Sequence, residues 1–178
     1  MNESLFCSLL KEHGIEYSEN VPMSAHTTFR IGGNAAYYLT PDTEEKLCRA
    51  ADACNDAGVR HVVLGRGSNV LFDDAGYSGA VISTEKLNRI TVSESKLICS
   101  CGASFTQCAA AARDASLSGL EFAYGIPGAV GGAVYMNAGA YNRNMDNVVT
   151  ETEYVDDEGR LKTMKGEEHQ FGYRKSVF

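Results

Sequence analysis

Apolar residues Leu5, Phe6, Leu9 and Leu10 open the chain at the spacing of one helical face, and Gly14 after Lys11-Glu12 marks the end of that run. A short amphipathic helix is predicted there. Residues 35–40 read as a strand, and after Pro41 the step from Asp42 through Thr43 and Glu44 to Glu45 offers an N-cap with a glutamate three positions on. Leu47, Ala50, Ala51 and Cys54 then repeat at i, i+3, i+4 and i+7 up to Gly58, which predicts a helix packed by one face. Residues 61–64 read as a buried strand, so strand, helix and strand in succession between residues 35 and 64 predict a crossover unit with parallel strands.

Farther along, short strands are predicted at 70–72, 80–83, 89–92 and 97–101, the last two joined by the polar turn Ser93-Glu94-Ser95-Lys96. Ser104 is placed to cap an Ala-rich helix that holds Cys108, Ala109–Ala112 and Ala115 and that Gly119 would end. Residues 148–155, the acidic turn Asp156-Asp157-Glu158-Gly159 and residues 161–164 read as a β-hairpin. The pattern is α+β throughout, without an internal repeat, linker or low-complexity stretch.

Composition narrows the function classes. The chain has 178 residues, 44% of them hydrophobic, and 16 Lys+Arg against 23 Asp+Glu give a formal charge of −7. At this length roughly 70% of the unfolded chain's surface can be buried, so a core forms without disulfide staples. No run approaches 18 apolar residues, and Met1-Asn2-Glu3-Ser4 lacks the basic flank and apolar stretch of a signal peptide, so a cytoplasmic protein away from membranes is expected. The cysteines at 7, 48, 54, 99, 101 and 108 contain no C-x-x-C pair and the four histidines are scattered, so they read as reduced thiols, mostly core fillers, with no metal site. The acidic balance and the lack of a Lys/Arg cluster exclude nucleic acid as an expected partner. No obligate protein partner is implied either. The abrupt apolar terminus Val177-Phe178 suggests truncation.

Two glycine-rich segments can carry chemistry. In Gly65-Arg66-Gly67-Ser68-Asn69 the glycines permit positive φ and close backbone approach, while N–H groups and the Ser68 and Asn69 side chains suit an anion such as a diphosphate. The spacing is neither G-x-G-x-x-G nor that of a P-loop, and an ordinary strand-to-strand turn is the alternative. Residues 125–141 hold five glycines among small apolar neighbours, so a ligand or another backbone must come close. A short helix from Gly128 would turn its positive N-terminus to a phosphate or a flavin carbonyl, the alternative being tight helix–sheet packing. Tyr135 and Tyr141 are candidates for stacking on a ring or for packing. Thr27 through Asn34, with its hydroxyls and glycine pair, is a third and weaker segment. In Tyr173-Arg174-Lys175-Ser176 the guanidinium is suited to grip a carboxylate or developing enolate, against the alternative of a solvated cationic pair. With no Ser-His-Asp pattern, no nucleophilic cysteine context and no distinctive carboxylate pair, chemistry here needs a cofactor.

In the order Thr27-Thr28-Phe29-Arg30-Ile31-Gly32-Gly33, Leu64 through Leu71, Gly119-Leu120-Glu121-Phe122, Gly125-Ile126-Pro127-Gly128 through Tyr141, and Tyr173-Arg174-Lys175-Ser176, these segments closely resemble the UDP-N-acetylenolpyruvoylglucosamine reductases, flavin enzymes of peptidoglycan precursor synthesis. The Gly132 to Asn137 wording is more similar to the family's second, shorter subtype. The resemblance implies an α+β fold of the vanillyl-alcohol-oxidase type: a helical segment at 1–20, then an FAD-binding domain at 21–178 with subdomains near 21–83 and 84–178. It implies that Gly65, Arg66, Gly67, Ser68, Asn69 and Val70 wrap the FAD diphosphate. It also implies that Gly125, Ile126, Pro127, Gly128, Gly131, Gly132, Ala133, Asn137, Ala138 and Gly139 line the flavin. NADPH would be the hydride donor and a UDP-sugar enolpyruvyl ether the substrate. Arg174 matches the family's catalytic arginine, and Tyr173 and Tyr141 would touch substrate.

The sequence departs from the family in three respects. The proton-donating serine and catalytic glutamate belong to a C-terminal substrate domain with no counterpart here, so this portion alone is expected to be inactive. A strand expected to close the domain after the Tyr-Arg motif has no counterpart, which implies an unpaired edge. Asn142-Arg143-Asn144 also follows Tyr141 where a glycine is usual. Other readings are a non-catalytic nucleotide-binding module and another flavin oxidase of the same fold; the Tyr-Arg motif and the lack of a covalent-attachment histidine count against the latter.

Overall fold

A computed structural model describes residues 2–156 and 158–178. The chain divides into two compact units, residues 1–87 with 155–160 and residues 88–154 with 161–178.

In the first unit, α1 (Glu3–Glu12) and α2 (Glu44–Asp56) flank strands β1 (Tyr17–Pro22), β2 (Asn34–Leu39), β3 (His61–Leu64) and β4 (Tyr77–Ser83). Both helices end as their glycines predict. Gly14 and Gly58 take left-handed φ of 60° and 64°, and the next N–H reaches back to Leu10 O and Cys54 O. The strands form one sheet in the order β1-β2-β4-β3, with β1 antiparallel to β2 and both β2 and β3 parallel to β4. The crossover predicted from residues 35–64 is therefore present, but β4 lies between its two strands.

A register shift between Ala35 and Tyr37 turns Ala35 to the same face as Tyr38. One face packs Tyr37, Leu39, Ala80 and Ile82 against Phe6, Leu10, Ala50 and Cys54. The other packs Ala35, Tyr38 and Val81 with Met23, Leu64 and Phe72. Burial on both faces explains why β2 and β4 read as unbroken apolar runs.

Three expectations are corrected here. Residues 61–64 are a strand but not a buried one: β3 is a sheet edge, Val63 is 55% exposed and Leu64 is the buried member. Residues 70–72 form no strand, and the nearest backbone bond to the segment before β2 lies just beyond them, Gly33 N–H donating to Asp73 O at 2.9 Å. The N-cap of α2 is Thr43, not Asp42; the Thr43 hydroxyl accepts from Lys46 N at 3.1 Å while Asp42 pairs with the Lys46 ammonium at 2.8 Å. Asp42 is thereby held below the usual carboxylate range by the Lys46 side chain. Thr43→Ala is expected to destabilise the first unit by about 1 kcal/mol, read as a lower urea midpoint with an unchanged slope.

The second unit begins with the antiparallel hairpin β5 (Ile90–Ser93) and β6 (Lys96–Cys99). Next come α3 (Phe105–Asp114), α4 (Val130–Tyr135), and the two-residue strands β7 (Gly139–Ala140) and β8 (Arg143–Asn144). The hairpin β9 (Glu151–Val155) and β10 (Leu161–Lys165) follows, its residues 151–154 and 161–165 belonging to this unit. Its core packs Phe105, Phe122, Ala133, Val134 and Met145, with Phe105 edge-on to Phe122 at 5.8 Å.

Ser104 caps α3 as predicted, but Gly119 does not end it: the helix stops at Asp114 because Ser116 takes the left-handed conformation, φ 57°, and Leu117 N–H closes on Ala112 O. The first hairpin strand starts at Glu151, not at 148. At its tip Asp156 Oδ1 accepts from the Glu158 and Arg160 N–H groups, and Asp157 lies outside the described residues. The apolar Phe178 packs edge-on against Tyr154 and His169. Buried His169 is held by two hydrogen bonds, Nδ1 with Gly166 O at 2.8 Å and Nε2 with the Thr152 hydroxyl at 2.8 Å, which makes it a structural residue.

Candidate functional site

Residues 65–69 leave β3, whose end is fixed by Thr84 N–H donating to Leu64 O at 3.0 Å. The loop is then fastened by Thr28, whose N–H and hydroxyl both donate to Gly67 O, at 3.0 and 3.3 Å. Gly67 has φ +63°, and a Cβ there would overlap the His26 carbonyl oxygen and lie 2.9 Å from Thr27 Cα. Its missing side chain is thus a packing requirement. Gly65 and Ser68 are half-buried, and Arg66 and Asn69 are exposed, leaving a guanidinium, a hydroxyl and an amide for a ligand. That donor set fits a diphosphate, since all three groups donate hydrogen bonds and one carries positive charge. Val70 is half-buried against the core of Met23 and Phe72.

The segment 27–34, weak by sequence, proves to be the scaffold of this loop. The buried Thr27 hydroxyl donates to Ile31 O at 3.2 Å, and a Cβ at Gly33 would come within 2.6 Å of Gly76 N. These hydroxyls are therefore committed to the backbone, not open to a ligand.

In the second unit the glycine-rich segment is built against residues 101–105. Phe105 N–H donates to Gly128 O at 3.0 Å, Val130 N–H to Ala103 O at 2.9 Å, and Gly131 N–H to Cys101 O at 2.7 Å. This corrects the helix expectation: α4 starts at Val130 behind Ala129, not at Gly128, and its first two N–H groups already have carbonyl partners. The glycines divide by role. A Cβ at Gly131 would sit 3.0 Å from Cys101 Cβ, whereas Gly132 and Gly125 (φ +90°) have nothing within 4 Å of theirs. Open space beside those two glycines fits the approach of a flat ring. Ile126 and Pro127 connect to α4, and Ala133 and Ala138 are buried in the core.

Upstream, Glu121 accepts from Gly119 N–H at 3.0 and 2.9 Å, which holds its carboxyl below the usual range and anchors the turn carrying buried Phe122 and Ala123. After α4, β7 and β8 pair Ala140 with Arg143 across Tyr141 (φ 54°) and Asn142 (φ 59°). Two successive left-handed residues make a type I′ turn, so Asn142 serves where a glycine is usual. Gly139 is packed against Asn144 and Arg143, and Tyr141 projects with 88% exposure.

Arg174 sits at φ 57° in a tight turn closed by Gly172 N–H to Lys175 O, 3.0 Å, with Tyr173 and Arg174 exposed at its tip. Two hydrogen bonds fasten this turn to the glycine-rich segment. Asn137 Nδ2 donates to Gly172 O at 3.0 Å, and the Ser176 hydroxyl donates to Tyr135 O at 2.8 Å at the end of α4. The structure thus brings Tyr173, Arg174, Tyr135 and residues 137–139 together.

Asn137 itself is buried and also links to Asp146, donating to its carboxylate at 3.2 Å and accepting from its N–H at 3.0 Å. The sequence offered the Thr28 hydroxyl only within a weak candidate segment and assigned Ser176 no role of its own; both hydroxyls bond a distant carbonyl, a relation that leaves no local pattern. Among the described residues no group of three or more His, Cys, Asp or Glu side chains is arranged to hold a metal, and no helix is long and apolar enough to cross a membrane.

The comparisons with known proteins agree with this architecture. The UDP-N-acetylenolpyruvoylglucosamine reductase of Clostridium novyi (strain NT) is 38% identical over 177 residues, 99% of this chain and 57% of its own length. The chain therefore spans just over half the length of that relative. The crystal structure of the reductase of the same name from Thermus caldophilus superposes with a TM-score of 0.73 at 34% identity, over 92% of this chain and 57% of that one. Glucooligosaccharide oxidase from Acremonium strictum superposes with a TM-score of 0.66 at 16% identity, over 90% of this chain and 36% of that one, a likeness of fold alone. The α+β flavoprotein fold implied by the sequence is thus the fold observed. A family model described as an FAD binding domain matches residues 35–165. On that match, across most of its length, the chain belongs to the family of FAD binding domains.

Proposed function

We propose that this chain is the FAD-binding portion of an NADPH-dependent reductase that converts UDP-N-acetylglucosamine enolpyruvate to UDP-N-acetylmuramate in cytoplasmic peptidoglycan synthesis. The observation that carries the proposal is the fastening of the Arg174 turn to the glycine-rich segment through Asn137 and Ser176. In this reading Gly65, Arg66, Gly67, Ser68, Asn69 and Val70 hold the diphosphate. Gly125–Gly128, Gly131–Ala133 and Asn137–Gly139 form the flavin face, with Gly125 and Gly132 offering the open approach and Ala133, Asn137 and Ala138 buried in the unit.

Bound FAD supplies hydride transfer from NADPH to the enolpyruvyl double bond. Hydride addition conjugate to a carboxylate pushes negative charge onto that group, and the Arg174 guanidinium, held at the tip of a closed turn, is the residue that stabilises it. Tyr173 and Tyr141, both exposed, are the residues offered to the substrate.

The experiment is retention of a flavin absorbance band after incubation with FAD and desalting. Asn69→Asp, which adds a carboxylate beside the proposed diphosphate at an exposed position without changing side-chain shape, is expected to weaken FAD binding about tenfold while leaving the far-UV spectrum unchanged. Equal flavin affinity in the two proteins would remove residues 65–69 from the diphosphate site.

A further inference from the structure

We propose that Cys99 and Cys108 form a reversible dithiol–disulfide pair that hydrogen peroxide oxidises. The two sulfurs lie 3.4 Å apart, Cys108 S–H donating to Cys99 Sγ. A disulfide bond is about 2.05 Å long, so closure requires the sulfurs to approach by only about 1.4 Å. Along β6 the exposed Lys96 and Ile98 alternate with half-buried Leu97 and Cys99, which turns Cys99 toward α3. Cys108 lies on the buried face of α3 with Phe105, Ala109 and Ala112. The pair thus joins a reachable sulfur to a shielded one. Cys99, half-buried where Cys108 is buried, is the sulfur that peroxide reaches and so the nucleophile; the hydrogen bond between them also holds the Cys99 thiol below its usual range and pushes Cys108 up.

The chemistry has two steps. Cys99 thiolate attacks one peroxide oxygen; an S–O bond forms, the O–O bond breaks, hydroxide leaves, and the sulfur is oxidised to the sulfenic acid while the peroxide is reduced. Cys108 sulfur then attacks Cys99 sulfur; the S–S bond forms, the S–O bond breaks, and the oxygen departs as water with the Cys108 proton. Two thiols and one peroxide give one disulfide and two waters. The loop so closed carries Cys101 O and Ala103 O, the acceptors of Gly131 and Val130 N–H, and Phe105 N–H, the donor to Gly128 O. The redox state of the pair therefore acts on the backbone that supports the glycine-rich segment, whatever that segment binds.

The test treats the whole 178-residue chain with hydrogen peroxide, alkylates it under denaturing conditions and maps the peptide spanning Cys99, Cys101 and Cys108 by mass spectrometry. The expected product is 2 Da lighter, alkylated once at Cys101, restored by dithiothreitol, and formed at least about tenfold faster than any oxidation of Cys48 or of Cys54, whose thiol burial pushes up to about 12. Cys108→Ser, or Cys108→Ala should the serine variant not fold, is expected to carry Cys99 on to the sulfinic acid with no 2 Da loss. Hydrogen exchange of the Val130 and Gly131 amides is expected to change at least about threefold on oxidation. Pairing through Cys101, a sulfinic Cys99 beside a free Cys108 in the parent chain, or unchanged exchange at Val130 and Gly131 would overturn the proposal.

Discussion

Gly67→Ala is expected to destabilise the first unit by about 3 kcal/mol and to abolish flavin retention. Two costs add. An alanine held at φ +63° costs about 1 kcal/mol, because the left-handed region crowds Cβ against its own carbonyl. The new methyl would also overlap the His26 carbonyl oxygen and sit 2.9 Å from Thr27 Cα. Those are backbone atoms that no rotamer change can move, and forcing an overpacked site apart costs a further ~2 kcal/mol. The separation that relieves the clash breaks the paired hydrogen bonds from Thr28 to Gly67 O, which are what hold residues 65–69 in place.

Gly58→Ala supplies the control. It has nearly the same φ, +64°, and nothing within 4 Å of the added Cβ, so it should cost only the conformational ~1 kcal/mol. Urea unfolding followed by far-UV circular dichroism measures both. Equal losses in the two variants would show that the close approach of the His26 backbone does not constrain the loop.

The helix ends show what local pattern can and cannot reveal. Gly14 and Gly58 end α1 and α2 where the end of apolar periodicity meets a residue free to take positive φ. The third helix ends in the same closing geometry, yet Ser116 supplies the left-handed residue, and a serine carries no such signal. Gly119, of the residue type commonest in that role, lies beyond the turn that Ser116 has already closed. Residues 61–64 and 80–83 were equally apolar by sequence, and only the long-range order β1-β2-β4-β3 makes one an edge and the other a centre.

At the site, the loops were legible as glycine clusters in a fixed order, but their roles were not. Gly67 and Gly131 are glycine because backbone and Cys101 press on them, while Gly132 is glycine beside open space. A sequence records the same letter for both. Likewise the first N–H groups of α4 looked available for a phosphate until the carbonyls of Cys101 and Ala103 proved to occupy them.

Asn137→Ala should destabilise the second unit by about 3 kcal/mol and loosen the turn that carries Arg174. Asn137 is 4% exposed with φ 41°, and its side chain makes three hydrogen bonds, two to Asp146 and one to Gly172 O. Truncation leaves the Asp146 N–H and the Gly172 carbonyl without this partner in a partly buried place, at roughly 1 kcal/mol each, and asks alanine to hold a left-handed conformation for about 1 kcal/mol more. Asn137→Gly separates the terms, since glycine removes the hydrogen bonds but relieves the backbone, so it should be less damaging than alanine by about 1 kcal/mol.

The functional consequence is read by hydrogen exchange. The turn 172–175 is tied to the rest of the unit by Asn137 on one side and by Ser176 to Tyr135 O on the other. With the first tie gone, the Gly172 and Lys175 amides, bonded across the turn at 3.0 and 3.3 Å, should exchange at least about tenfold faster. Val177 N–H, bonded to His169 O at 2.9 Å beyond the second tie, should change much less. If Gly172 and Lys175 keep their protection in both variants, Asn137 only stabilises the Asp146 region, and Ser176 alone positions Arg174.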